Sequence, residues 1–216
     1  MLRYQIILLS IALVVCFLGT AVSPLHAAEL STSSAVGKGT GPSSEASASS
    51  ENASDKGTWD WSVQVQYARE TGDCDYNVLS IAPRCSRRLL QVEKGGPLAG
   101  RLLFVLEPSV QLLEDESVNA ELRLMPLLRY EFGSDEKIVP FVEGGVGLLW
   151  SNCRTDELYS EFTFSNQLRA GLDYHIKPSV SLRIEGFFEH ASNAGLASHN
   201  PGMEVYGPRL GCVLHF

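Results

Sequence analysis

The chain is short of positive charge. Seventeen Lys and Arg stand against 25 Asp and Glu in 216 residues, a formal net charge of −8. A nucleic-acid binder needs a basic surface to neutralise phosphates, so that class is excluded. Apolar character is limited too. The mean hydropathy of +0.02 is too low for a bundle of membrane-spanning helices. It is not too low for a membrane β-barrel, whose strands alternate polar and apolar residues and average to neutral. Cysteine is scarce, with 5 residues. No pair of them has metal-ligand spacing with nearby histidines, so no metal centre is expected. Residues 29–57 are nearly devoid of large apolar side chains and rich in Ser, Ala, Gly and Thr. Such a stretch cannot bury enough surface to offset its ordering entropy and reads as a disordered tether.

What is present begins with an export signal over 1–28. Arg3 supplies a positive start. An apolar run follows from Ile6 to Val22, and Leu25-His26-Ala27 precedes a small-residue cleavage site. As an uncleaved anchor this run would sit at the short limit for a membrane span. A lipoprotein reading through Cys16 fails because Cys16 lies inside the apolar run. Export leaves Cys74, Cys85, Cys153 and Cys212 in an oxidising compartment, where Cys74 and Cys85 could close a short loop. Spacing alone gives no connectivity.

The 159 residues from Thr58 onward divide into about eight segments of strand length with period-2 alternation. They fall near 59–69, 87–93, 101–112, 118–131, 138–150, 161–174, 180–190 and 204–216. The sixth sets Phe162, Phe164, Leu168, Ala170, Leu172 and Tyr174 against Thr163, Ser165, Gln167, Arg169 and Asp173. The seventh sets Val180, Leu182, Ile184 and Phe188 against Ser181, Arg183, Glu185 and Glu189. A soluble sandwich or lipocalin-like barrel also alternates. Strand length, aromatics at segment ends and a polar phase carrying charges of both signs favour a membrane barrel. The expected fold class is all-β, an eight-stranded antiparallel transmembrane β-barrel over 58–216. An even strand count puts both termini on the periplasmic side. The stretches at 94–97, 133–136 and 177–179 then become periplasmic turns. The segments around 71–86, 113–117, 151–160 and 191–203 become outer loops, so the longer connections are all expected on the outside.

The chemistry concentrates at the last hairpin. Residues 189–204 read EHASNAGLASHNPGME. His190 and Ser192 lie two residues apart, so a continuing strand points both to one face, roughly 7 Å apart. His190 is in phase with Leu182, Ile184 and Phe188, the lipid-facing set. Glu204 is in phase with Tyr206, Leu210 and Leu214, again lipid-facing. Antiparallel pairing would bring Glu204 opposite His190. A serine needs a base to become a nucleophile, and an imidazole needs an acid to fix its tautomer. His190, Ser192 and Glu204 are therefore the candidate catalytic set. By spacing alone, His-x-Ser also arises by chance, and His199 and His215 read as bystanders.

The segment His190-Ala191-Ser192-Asn193-Ala194-Gly195-Leu196, followed by Asn200-Pro201-Gly202 and Glu204, resembles the active-site signature of the lipid A 3-O-deacylase (PagL) family. Leu106-Glu107-Pro108, Pro126-Leu127-Leu128-Arg129-Tyr130 and Pro140-Phe141-Val142-Glu143-Gly144-Gly145 are similar as well. The resemblance covers roughly 100–216 well, 58–99 loosely and the tether not at all. It implies an eight-stranded outer-membrane barrel that hydrolyses an ester-linked acyl chain on lipid A of lipopolysaccharide, without a cofactor. It also implies His190 as general base, Ser192 as nucleophile and Glu204 as orienting acid. Asn193, Gly195 and Asn200 become candidates for oxyanion stabilisation, substrate binding or loop geometry. The expected partners are lipopolysaccharide, the outer membrane and, through the terminal aromatic Phe216, the barrel-assembly machinery; a homodimer stays open. The competing readings are a non-catalytic barrel with an anchoring or binding role, and a lipid acyltransferase or phospholipase on the same scaffold.

Overall fold

A computed structural model describes residues 59–73, 75–92, 96, 98–114, 118–133, 137–151, 161–195 and 202–216. The expected signal and tether lie outside them, as do Cys74, Cys153, His199 and Asn200.

Alternating side chains can satisfy two solvents at once, and the eight strands do so. They are β1 (Trp59–Gly72), β2 (Tyr76–Val92), β3 (Gly100–Glu114), β4 (Val118–Phe132), β5 (Ile138–Ser151), β6 (Phe162–Lys177), β7 (Val180–Ser192) and β8 (Met203–His215). Each pairs antiparallel with its neighbour, and β1 pairs with β8 to close the barrel. Closure leaves no free sheet edge and every strand's backbone bonded, which a lipid surround demands.

The polarity is inside out. Leu128, Val146, Leu168 and Leu210 are each more than half exposed on the outer wall. The lumen is filled with buried charge. Glu143 accepts from Arg84 at 2.7 Å, Arg129 at 3.0 Å and Arg169 at 3.0 Å. Arg123 bridges Glu121 and Glu189, and Arg209 reaches Glu70 at 3.1 Å. A narrow lumen of this kind is filled by its own paired side chains.

Two expectations need correction. Residues 76–86 were expected in an outer loop, but they belong to β2, which is 17 residues long. Tyr76, Val78, Ser80, Ala82 and Arg84 face the lumen; Leu79, Ile81, Pro83 and Cys85 face out. The inward face mixes polar, small and apolar residues, so the alternation is not clean. Nor do the longer connections all fall on the expected outer side. The two longest, 152–161 and 193–202, take ten residues and do, but 93–99 on the other side takes seven, while 73–75 and 115–117 take three. Cys85 is a free, buried thiol.

Candidate active site

Register decides what meets on the outer wall. β7 and β8 pair with His190 directly opposite Glu204 and Phe188 opposite Tyr206. Along β7, the inward set Ser181, Arg183, Glu185, Phe187 and Glu189 is buried. Leu182, Ile184 and Phe188 are exposed, and His190 and Ser192 continue that outer phase. Glu204 continues the outer phase of β8. The three candidate residues therefore share the lipid-facing wall. His190 Nδ1 stands 3.5 Å from Glu204 Oε1, and the two side chains are 38% and 60% exposed. No hydrogen bond joins Ser192 to His190 among the described residues. Catalytic contacts of this kind are often long before substrate closes them.

The height of the site is set by aromatic side chains. Ser192 pairs with Phe164 on β6, and Phe164 with Leu148 on β5. One step further out, Phe162 pairs with Trp150, and Phe162 and Phe164 pack edge to face at 5.8 Å. Ser192 is thus level with an aromatic band of the kind found where acyl chains meet head groups.

Below the site the wall is hollow. One row of paired residues, Val142, Ala170, Gly186 and Pro208, is made of small or compact side chains. Leu168, Phe188 and Tyr206 rise above it; Leu172 and Ile184 rise below. They enclose an open apolar groove of about 730 Å³. Gly186 lies four residues before His190, roughly 13 Å along the strand. The groove floor therefore lies two outward-facing rows beneath the His190–Glu204 pair, with the Phe188–Tyr206 row between them.

The remaining candidates divide. Asn193 is buried, and its Oδ1 accepts the Gly195 N–H at 2.9 Å. This Asx turn shapes the chain immediately after the serine. It also engages the Gly195 amide, which had been expected as an oxyanion donor. Ala194 holds φ +53°, a left-handed conformation that a non-glycine residue adopts only when its surroundings hold it there. Asn200 lies outside the described residues.

Two residues emerge that sequence reasoning passed over. Asn166 on β6 sits directly opposite His190 and is exposed on the outer face. It is the polar member of an otherwise apolar phase, which is the signal that could have found it. Asp73, just past the end of β1, clamps the backbone of Glu204. Its N–H donates to the Glu204 carbonyl at 3.0 Å, and its carboxylate accepts the Glu204 N–H at 2.7 Å.

A second serine–histidine cluster lies inside the barrel at the opposite end. Ser181 Oγ is 2.7 Å from His175 Nδ1 and 2.8 Å from His215 Nε2. Ser181 is fully buried. The two imidazoles line a cavity of about 270 Å³. Among the described residues, no group of three His, Cys, Asp or Glu side chains could hold a metal ion.

With this geometry in place, comparison with known proteins is informative. The profile of one family, lipid A 3-O-deacylase (PagL), matches residues 90–212, more than half of the chain. Solved structures that resemble the fold include the outer membrane enzyme PagL. It shares 22% identity at a TM-score of 0.54, over 69% of this chain and 97% of that one. Neisserial surface protein A (NspA) shares 13% identity at 0.46, over 73% and 97%. The N-terminal β-barrel domain of Pseudomonas aeruginosa OprF shares 16% at 0.45, over 72% and 97%. A search of curated proteins finds no match. The chain belongs to the lipid A 3-O-deacylase (PagL) family of outer-membrane β-barrels.

Proposed function

We propose that the protein is a serine esterase that removes the 3-O-linked acyl chain of lipid A from the outer leaflet. Ser192 Oγ attacks the ester carbonyl while His190 takes its proton. Glu204, at Nδ1, holds the imidazole in the tautomer that leaves Nε2 free as base and stabilises the imidazolium that forms. The tetrahedral intermediate collapses, the sugar oxygen leaves with the proton from His190, and the acyl group stays on Ser192. Water, deprotonated by His190, then releases the fatty acid and restores the serine. With the Gly195 N–H engaged by Asn193 Oδ1, Asn193 serves this reading by shaping the chain that follows the serine.

The observation that carries this reading is the shared outward face. His190 lies opposite Glu204, Ser192 follows in phase at the aromatic band, and an apolar groove runs beneath them. A chain lying in the Gly186 row would stay in an apolar surround while its ester reaches the serine. Asn166, beside His190, offers an amide donor and acceptor to the polar end of such a substrate. Polar and ionisable groups on a lipid-facing wall are costly, and a bond to be cut at that level gives them a purpose.

The test is mass spectrometry of lipid A from cells expressing wild type or Ser192→Ala, each confirmed as a folded barrel by heat-modifiable gel mobility. Wild type should remove one acyl group. Ser192→Ala should remove none, a loss of about 10⁴-fold or more in rate. Gain of an acyl group would mean a transferase. Identical spectra for both would leave a structural or binding barrel.

A further inference from the structure

We propose that Gly202 is the seat of the His190 imidazole, so that the missing side chain at this position aims the ring at Ser192. The proposal rests on the triad reading above and concerns how the base is held.

The last recorded pair between β7 and β8 is Ala191 with Met203. Continuing that register by one residue sets Gly202 opposite Ser192. The two glycines of this hairpin share one φ, +79° at both Gly195 and Gly202. Their surroundings differ. A Cβ at Gly195 would meet nothing within 4 Å. A Cβ at Gly202 would lie 2.9 Å from His190 Cε1, 3.4 Å from His190 Nε2 and 3.5 Å from the Ala191 carbonyl oxygen. Gly195 thus answers a conformational demand alone, while Gly202 answers that demand and also leaves room for the ring.

The imidazole is bounded on two sides. Its Nδ1 edge meets Glu204, and its Cε1–Nε2 edge lies over the bare Cα of Gly202. Nε2 is therefore turned toward the level of Ser192, the orientation that proton abstraction needs. A methyl group at 202 would push that edge away, and a displacement near 1 Å in a reacting geometry costs on the order of 100-fold in rate. Gly202 touches no reacting atom of the substrate. It is a positioning residue that acts through His190.

The experiment uses the full-length protein in outer-membrane preparations, with lipid A as substrate. The variants are Gly202→Ala, Gly202→Asn, Ser192→Ala and His190→Ala. Asparagine tolerates a positive φ far better than alanine. If backbone strain alone explains the glycine, Gly202→Asn restores activity; if the ring's seat explains it, asparagine is no better than alanine. The expected result is a kcat reduced about 100-fold in both Gly202 variants, KM within about threefold of wild type, and normal heat-modifiable mobility. Recovery of a third or more of wild-type kcat in Gly202→Asn, or an unchanged kcat in Gly202→Ala, overturns the proposal.

A second measurement covers loss of folding. The thermal conversion of the heat-modifiable form is compared for Gly202→Ala in wild-type and His190→Ala backgrounds, as a double-mutant cycle. The penalty should shrink when the ring is absent. An equal penalty in both backgrounds, including failure to fold in both, overturns the proposal. Ser192→Ala keeps the two readings apart: if it retains activity, the triad reading has failed, whatever Gly202 does.

Discussion

Two serines in this barrel each stand near histidine, and the tighter cluster is the one that cannot react. Ser181 bonds two imidazoles at 2.7 and 2.8 Å, but it is sealed inside the wall. Its single proton can go to only one ring, so the other ring must donate to it. The result is a chain of satisfied hydrogen bonds from the end of β6 through the start of β7 to the end of β8. Ser192 has no such bond, and its histidine meets an acid at a loose 3.5 Å. Yet Ser192, His190 and Glu204 share a face at an aromatic level, above an apolar groove. Short hydrogen bonds mark what holds a fold together. An open nucleophile in a supported but unsatisfied setting marks where a substrate completes the geometry.

The comparison can be strained first at Glu204. Glu204→Gln keeps the size and the hydrogen-bonding capacity but removes the negative charge that stabilises an imidazolium. It should lower kcat by about 10² to 10⁴-fold with little change in KM. Rates of acyl release from lipid A, measured on equal amounts of folded barrel, check this. A kcat within threefold of wild type would mean that His190 works without an acid, and that the facing pair in the register is incidental.

Asp73 offers a finer break in the same place. It holds the backbone of Glu204 through both an N–H and a carboxylate. Asp73→Ala removes the acceptor for the Glu204 N–H while leaving the Ser192, His190 and Glu204 side chains intact. Glu204 should then wander, and kcat should fall about tenfold. Asp73→Asn, which keeps a side-chain oxygen, should recover most of that loss. If alanine and asparagine behave alike, the clamp does not tune the acid.

Much of this was legible before any coordinates, because a membrane barrel writes its two environments into alternate residues. β6 and β7 alternate cleanly, so their faces, and with them the outward aim of His190 and Ser192, could be read directly. β2 could not be read, since Ser80 and Arg84 alternate with Ile81 and Pro83 and neither face is uniform. The opposition of His190 and Glu204 was expected from antiparallel pairing, but its register depends on how the ten residues of 193–202 turn. Asn166 was visible as one polar residue in an apolar phase, yet its place beside His190 needed the β6–β7 register. Asp73 carried no signal, because an acid after a strand reads as an ordinary loop residue. The engagement of the Gly195 amide by Asn193 likewise follows from a turn geometry that composition does not encode.

The smallest effect separates the two serines most cleanly. Ser181→Ala deletes the hydroxyl that links His175 to His215. A buried polar group that loses its partner costs about 1–3 kcal/mol. Here the cost should lie near the lower end, because both rings line the 270 Å³ cavity and water can replace the hydroxyl. The thermal conversion of the heat-modifiable form should therefore fall by a few degrees. Deacylation at lower temperature should stay within twofold of wild type, since the cluster lies inside the barrel at the end opposite Ser192. The same serine-to-alanine change thus gives opposite results at the two sites, losing activity with normal stability at 192 and stability with normal activity at 181. If Ser181→Ala abolished deacylation while the barrel remained folded, the inner cluster would have to take part in the chemistry, and the outer wall would lose its claim as the sole reacting surface.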